Sequence, residues 1–252
     1  RRRAYNQEMQ RGRVGLGVVA RGARSSTRRP LSALTSKWAE NTASRGEMIV
    51  LQYNSIGKGM KWTYLEAAHY ARAMASGLQE MGFQPGDSIA TRLSADRPEK
   101  HCALFAALTT GMYLVSIDPS VTDPQMTREI LKEHKCRAIY YDEPDVPHLE
   151  LAVPEFCTHR AFMGKPLVAG GLPKLKYFVT IALDKQPASQ NFPYLLAHHG
   201  FLAPTPTNDD DLAVVDYDAS GKRTDYTHAQ AQASDAFPAL AALLHAKPLV
   251  VP

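Results

Sequence analysis

Residues 212–228 read LAVVDYDASGKRTDYTH, and the fold turns on how this stretch is understood. The apolar run from Leu212 to Tyr217 has the composition of a strand buried on both faces. A short polar loop follows, Asp218-Ala219-Ser220-Gly221-Lys222-Arg223, rich in the residue types that make turns. Tyr226-Thr227-His228 then leads into an Ala-rich stretch with helical character over 227–245. Gly221-Lys222 is no Walker motif, because the G-x-x-x-x-G-K-[ST] frame around it is missing.

Upstream, apolar runs alternate with helical patterns. Residues 31–44 read as a short amphipathic helix with Leu34 and Trp38 on one side, and 48–53 as a strand ended by Gly57-Lys58-Gly59. Thr63 and Glu66 are spaced as a capping box, in which hydroxyl and carboxylate each satisfy an orphan backbone N–H. Ala67, Ala71, Met74, Leu78 and Met81 then recur at helical spacing up to Gly82, a left-handed stop. Strands follow at 88–93, 113–117 and 137–141. Helices lie between them at 97–110 and, with Thr122 or Asp123 as cap and Pro124 in the first turn, up to His134. Strand–helix–strand alternation of this length implies parallel strands with helices on the faces. Prolines at 144, 147, 154 and 166 break up residues 142–174, which read as an irregular connection holding one short helix. Further on, 177–183 and 249–251 read as strands and 194–199 as a short helix. The second half is expected to begin a second sheet.

Thr63-Tyr64 with Glu66, the Gly82…Gly86-Asp87 turn and the segment Gly111-Met112-Tyr113-Leu114-Val115-Ser116-Ile117-Asp118-Pro119 resemble the first core motifs of adenylate-forming enzymes. The likeness is nearest to the medium-chain acyl-CoA synthetase branch and runs from about Leu31 to Pro252, the first half of such an enzyme. It implies a three-layer α/β/α fold with a mainly parallel sheet, a partial acyl-CoA synthetase N-terminal domain. Residues 31–252 would form this domain, with lobes at about 31–141 and 175–252. It also implies that 212–228 stand where that family carries its ATP-phosphate loop, Y-T-S-G-T-T-G-x-P-K-G. Here Tyr217 and His228 survive as flanks, but the span between them is four residues short and lacks the Thr-rich run. Ser220, Gly221 and Lys222 are what remains of a cofactor-binding loop: one hydroxyl, one close backbone approach and one cation. Asp218 and Asp225 bring carboxylates to the same loop and oppose a triphosphate. The family's later parts, including its adenine and magnesium sites and catalytic lysine, have no counterpart in the sequence. The expectation is a pseudoenzyme with no catalytic residue, no cofactor and no metal.

Charge is uneven along the chain. Residues 1–29 hold nine arginines (Arg1, Arg2, Arg3, Arg11, Arg13, Arg21, Arg24, Arg28 and Arg29) and one acid, Glu8. Without them the chain has 20 basic and 24 acidic residues, so the body is formally −4 although the whole is +4. The basicity belongs to an extended arm over 1–30 whose Arg-rich, acid-poor composition is that of a mitochondrial or chloroplast import segment. Such a segment cannot offset its own ordering entropy, about 1–2 kcal/mol per residue, without a surface supplied by something else. The expectation is therefore an accessory structural subunit of a large mitochondrial complex on the matrix side of the inner membrane, an ATP synthase or respiratory complex. Its partners would be neighbouring subunits and anionic lipid such as cardiolipin. Two alternatives stand beside it. One is a mitochondrial ribosomal protein with the arm on RNA, disfavoured by the acidic body. The other is a remnant that still binds a nucleotide or acyl-CoA.

Other features are bland. Cys102, Cys136 and Cys157 are odd in number and lack metal-type spacing. His198-His199 before Gly200 suits a helix C-terminus, and Asn208–Asp211 a solvated linker. No apolar run reaches the roughly 18 residues of a membrane span.

Overall fold

The computed structural model describes residues 32–54, 59–158, 167–182, 189–196, 205–245 and 247–251. The arginine arm, Gly57-Lys58 and His198-His199 lie outside the described residues.

A seven-stranded sheet forms the centre. Its members are β3 (Ser88–Thr91), β4 (Tyr113–Ile117), β5 (Ala138–Tyr141), β6 (Tyr177–Thr180), β7 (Gln190–Asn191), β8 (Leu212–Tyr217) and β9 (Arg223–Thr227), in the order β7-β6-β5-β3-β4-β8-β9. All neighbouring pairs are parallel except β8–β9, an antiparallel edge hairpin. The central strands are buried on both faces, as the near-continuous apolar runs of 113–117 and 212–217 require. Alternate residues serve opposite cores. Ile89, Leu114, Tyr140 and Val214 face one core. Its helices are α1 (Ala33–Arg45), α2 (Tyr64–Glu80), α3 (Pro98–Thr110), α6 (His228–Ala233) and α7 (Pro238–His245). Ala90, Val115, Ile139 and Val215 face the other, filled by α4 (Pro124–Glu133) and α5 (Val146–Ala152). This is the expected three-layer α/β/α architecture with a mainly parallel sheet.

The capping box at α2 is present: Glu66 N–H donates to Thr63 Oγ1 at 3.2 Å and Thr63 N–H to Glu66 Oε2 at 2.7 Å. Asp123 caps α4 by accepting from Gln125 N–H at 2.9 Å.

Three expectations need correction. The helix expected over 227–245 is two helices: the backbone turns extended at Ser234, with ψ at 137°, which ends α6, and Pro238 then opens the first turn of α7, where its missing N–H costs no hydrogen bond. Residues on both sides of the 142–174 connection join one sheet, since β4 pairs with β8 and β5 with β6. The second sheet is built from the beginning and end of the fold: β10 (Leu249–Val251) lies parallel to β1 (Ile49–Tyr53), which pairs antiparallel with β2 (Met60–Thr63). Finally, 194–199 does not open as an α-helix; a single 3-10 turn covers Phe192–Leu195.

No helix among the described residues is long and apolar enough to cross a membrane.

Candidate functional site

Successive strands first step from β3 to β4 and then back to β5 on the other side of β3. In open α/β sheets, ligands sit at the carboxyl ends of the strands where the order reverses. Here that place holds a cavity of about 340 Å3, bounded by the ends of β4 and β8, the start of α3 and the strand β10. Leu104, Phe237 and Val251 form apolar walls, and Asp96, Asp118, Asp216 and Asp218 present four carboxylates against one ammonium, Lys100. Burial lowers the Lys100 pKa, opposed by Asp216 and Asp118. Beside it, His101 is buried, and its Nδ1 lies 2.7 Å from Tyr53 Oη.

The loop that should serve this cavity is a closed turn. Gly221 N–H donates to Asp218 O at 2.8 Å, with Gly221 in the left-handed region at φ +77°. A side chain there would also meet Met126 of α4, whose Sδ would stand 2.3 Å from the added Cβ. The Asp218 carboxylate folds back over the turn. Its Oδ1 accepts from Ser220 N–H at 2.9 Å, from Ser220 Oγ at 2.6 Å and from Lys222 N–H at 3.0 Å. The Ser220 hydroxyl, followed by the Lys222 amide, holds the Asp218 carboxyl below its ordinary range. Backbone amides gathered around one anionic oxygen are the physical basis of a phosphate-binding nest. In this chain that anion is part of the chain.

Ser220, Gly221 and Lys222 therefore do stand together, but the first and last already donate to Asp218. Both Ser220 and Lys222 are exposed. The second carboxylate acts differently from the sequence expectation. Asp225 is not an uncompensated charge in the loop, because Arg223 grips it with Nε to Oδ1 at 2.6 Å and Nη2 to Oδ2 at 2.7 Å. Arg223 also reaches Glu133 through Nη1. The guanidinium beside the loop is thus committed to two carboxylates. The flanks are anchored too. Tyr217 Oη lies 2.9 Å from His134 Nε2, and Thr227 and Gln230 form a capping box at α6.

Sequence reading finds Asp218 but misses Lys100 and its other carboxylate neighbours, Asp96 and Asp216. Lys100 and Asp216 are 116 positions apart, and only the strand order brings them together.

The histidines predict a pH response. Burial pushes His101 down to about 3 and His148 down to about 4, and lowers His134 and His228. In the unfolded chain these rings titrate near 6.5, so below that pH the unfolded state binds more protons. Stability should be complete above about pH 6.5 and decline as pH falls toward the folded values. The buried His101 contributes up to about 1.4 kcal/mol per pH unit. Urea midpoints measured from pH 7 to pH 5 should fall, and His101→Gln should make the fall shallower. A flat profile would contradict the burial of these rings.

A mainly parallel α/β sheet, a cavity at its switch point and a strand–turn–strand beside it match the architecture of the N-terminal domain of adenylate-forming enzymes. The family model for "AMP-binding enzyme" matches residues 37–219, and the chain belongs to this family. The match ends inside the β8–β9 turn. Among solved structures, the luciferase-like enzyme of the nonluminescent mealworm Zophobas morio superposes with a TM-score of 0.67 at 16% identity, over 89% of this chain and 55% of that one. The Mycobacterium tuberculosis fatty acyl CoA synthetase gives 0.63 at 16% identity, over 86% and 43%. A benzoate CoA ligase from Burkholderia xenovorans LB400 gives 0.58 at 21%, over 78% and 34%. At these identities the likeness is one of fold, and the chain spans 34% to 55% of the length of these proteins. No curated protein matches the sequence.

Proposed function

We propose that this chain is a non-catalytic member of the AMP-binding family, retained as an accessory structural subunit of a large mitochondrial complex on the matrix side of the inner membrane. An ATP synthase or respiratory complex is the favoured setting. The observation that carries the non-catalytic reading is the Asp218 carboxylate seated on the Ser220 and Lys222 amides. An incoming phosphate would have to displace an anion tethered in place, and would meet a cavity where four carboxylates oppose one lysine. The organelle rests on the nine arginines of residues 1–29. The acidic remainder supports protein and lipid neighbours for the arm rather than RNA.

Two measurements test the two halves. Calorimetric titration of the purified chain with ATP, CoA and acyl-CoA should give no saturable heat at micromolar concentrations, and micromolar affinity for any of them would end the non-catalytic reading. Tagged protein should be recovered at constant stoichiometry with the subunits of an inner-membrane complex. Recovery with ribosomal proteins, or as a free protein, would reject that assignment.

A further inference from the structure

Lys100 is the only amine side chain among the described residues that line the switch-point cavity. The nucleotide reading gives it no task. It lies in the first turn of α3, where the positive end of the helix disfavours a further cation. Among the described residues its ammonium makes no hydrogen bond and no ion pair, although four carboxylates line the same cavity. Three of them are engaged elsewhere. Asp96 accepts from the Ser94 hydroxyl, Asp118 from Ser120 N–H at 2.7 Å and Asp218 from its own turn. Burial outweighs the attraction of Asp216 and Asp118 and holds the Lys100 ammonium below its ordinary range.

A lysine in this setting gains reactivity from its desolvation, because the uncharged amine is the nucleophile. The remaining question is which electrophile the cavity admits. At about 340 Å3 it stands just above the roughly 300 Å3 at which small-ligand pockets begin. Leu104, one turn further along α3, joins Phe237 and Val251 in apolar walls. Acyl phosphates and CoA thioesters carry several negative charges, which the four carboxylates oppose. An uncharged aldehyde meets no such opposition.

The step balances without an oxidant or a reductant. Lys100 Nζ attacks the carbonyl carbon, and a carbon–nitrogen double bond replaces the carbon–oxygen one. The carbonyl oxygen leaves as water with the two protons that the amine nitrogen carried. Once protonated, the imine bears the positive charge that the ammonium had, and Asp118 and Asp216 favour it. The carboxylates that repel anions thus support the product.

We propose that Lys100 is a covalent capture site for small, uncharged, apolar aldehydes, held as a Schiff base in the switch-point cavity. This assignment does not depend on the non-catalytic reading, because capture is stoichiometric and is read at Lys100 itself. The test incubates the full chain with butanal and cyanoborohydride, a hydride donor that reduces the imine to a stable secondary amine. Peptide mass spectrometry then maps the adducts over time. Lys100 should be butylated before the exposed Lys37, Lys61 and Lys132. Glyoxylate, a small aldehyde with a negative charge, should show no preference for Lys100. Unfolding in urea should erase the preference, and Lys100→Arg should abolish the early adduct while keeping the positive charge. The proposal is overturned if folded Lys100 is labelled no sooner than Lys37, if glyoxylate labels it as readily as butanal, or if the preference survives unfolding. Should Lys100→Arg fail to fold, the wild-type adduct map decides alone.

Discussion

Replacing Asp145 by asparagine should remove about 3–5 kcal/mol of folding stability, the usual cost of stranding one member of a buried ion pair. Arg92 follows β3 and is 2% exposed. Its Nε and Nη2 donate to Asp145 Oδ1 at 3.3 and 3.2 Å. Its remaining N–H groups go to Val121 O at 3.1 Å, Thr127 Oγ1 at 3.4 Å and Pro119 O at 2.9 Å. One guanidinium thus ties the end of β3 to the segment after β4, to α4 and to the turn before α5. An amide in place of the carboxylate would keep the shape but leave the cation without its counter-charge, far from water. The carboxylate is itself costly to bury: desolvation raises the Asp145 pKa even with Arg92 beside it. The pair is therefore weak evidence of net stabilisation, and replacing both partners should cost less than the two single changes added together. Urea unfolding of Asp145→Asn, Arg92→Met and the double variant measures this. A single Asp145→Asn loss below about 1 kcal/mol would mean that water reaches Arg92 and that the network is not closed. The consequence extends to the switch-point cavity, because Asp118 on its wall directly precedes Pro119, whose carbonyl Arg92 holds.

The parts of this fold that can be read from sequence are those whose cause is local. The capping box at Thr63 and Glu66, the Asp123 cap with Pro124 behind it and the buried runs 113–117 and 212–217 each carry their signal within a few residues. β2 is hidden because Met60–Thr63 is only four residues long and runs straight into the helix that Thr63 caps. The break between α6 and α7 is legible in Pro238, but the alanine-rich pattern around that proline masks it. Asp218 is the instructive case at the site. Its charge alone marks it as hostile to phosphate, but an Asp two residues before Ser220 in a turn is also the pattern of a side chain bonding its own backbone two residues on. That local rule places the carboxylate on the amides. The parallel pairing of β10 with β1 and the meeting of Lys100 with Asp216 have no such cue. Both depend on strand order, which is decided by packing across the whole chain.

Gly77 supplies the second large effect. It lies inside α2, where glycine is about 1 kcal/mol worse than alanine, so propensity alone favours Gly77→Ala. Packing reverses the sign. A Cβ built on Gly77 would stand 1.7 Å from the carbonyl oxygen of Leu195 and 2.8 Å from its carbon. Both are backbone atoms, and no rotamer relieves the overlap. The 3-10 turn Phe192–Leu195 is pinned in turn, with Phe192 and Leu195 buried and Phe192 packed edge-on against Tyr140, their ring centroids 6.3 Å apart. To admit a methyl group, the turn must move off α2 and open the core beneath it. Overpacking of this kind costs about 1–3 kcal/mol, and a displaced turn adds cavity terms to that. Gly77→Ala should therefore lower the urea midpoint, and Gly77→Val should lower it further. If Gly77→Ala raised the midpoint, helix propensity would have won, and the turn at 192–195 would not rest on α2. That result would reach the function as well, because β7, which leads directly into this turn, is the edge of the sheet opposite the β8–β9 hairpin. A loosened edge there, with the Asp218 turn intact, would show that the two ends of the sheet are held independently.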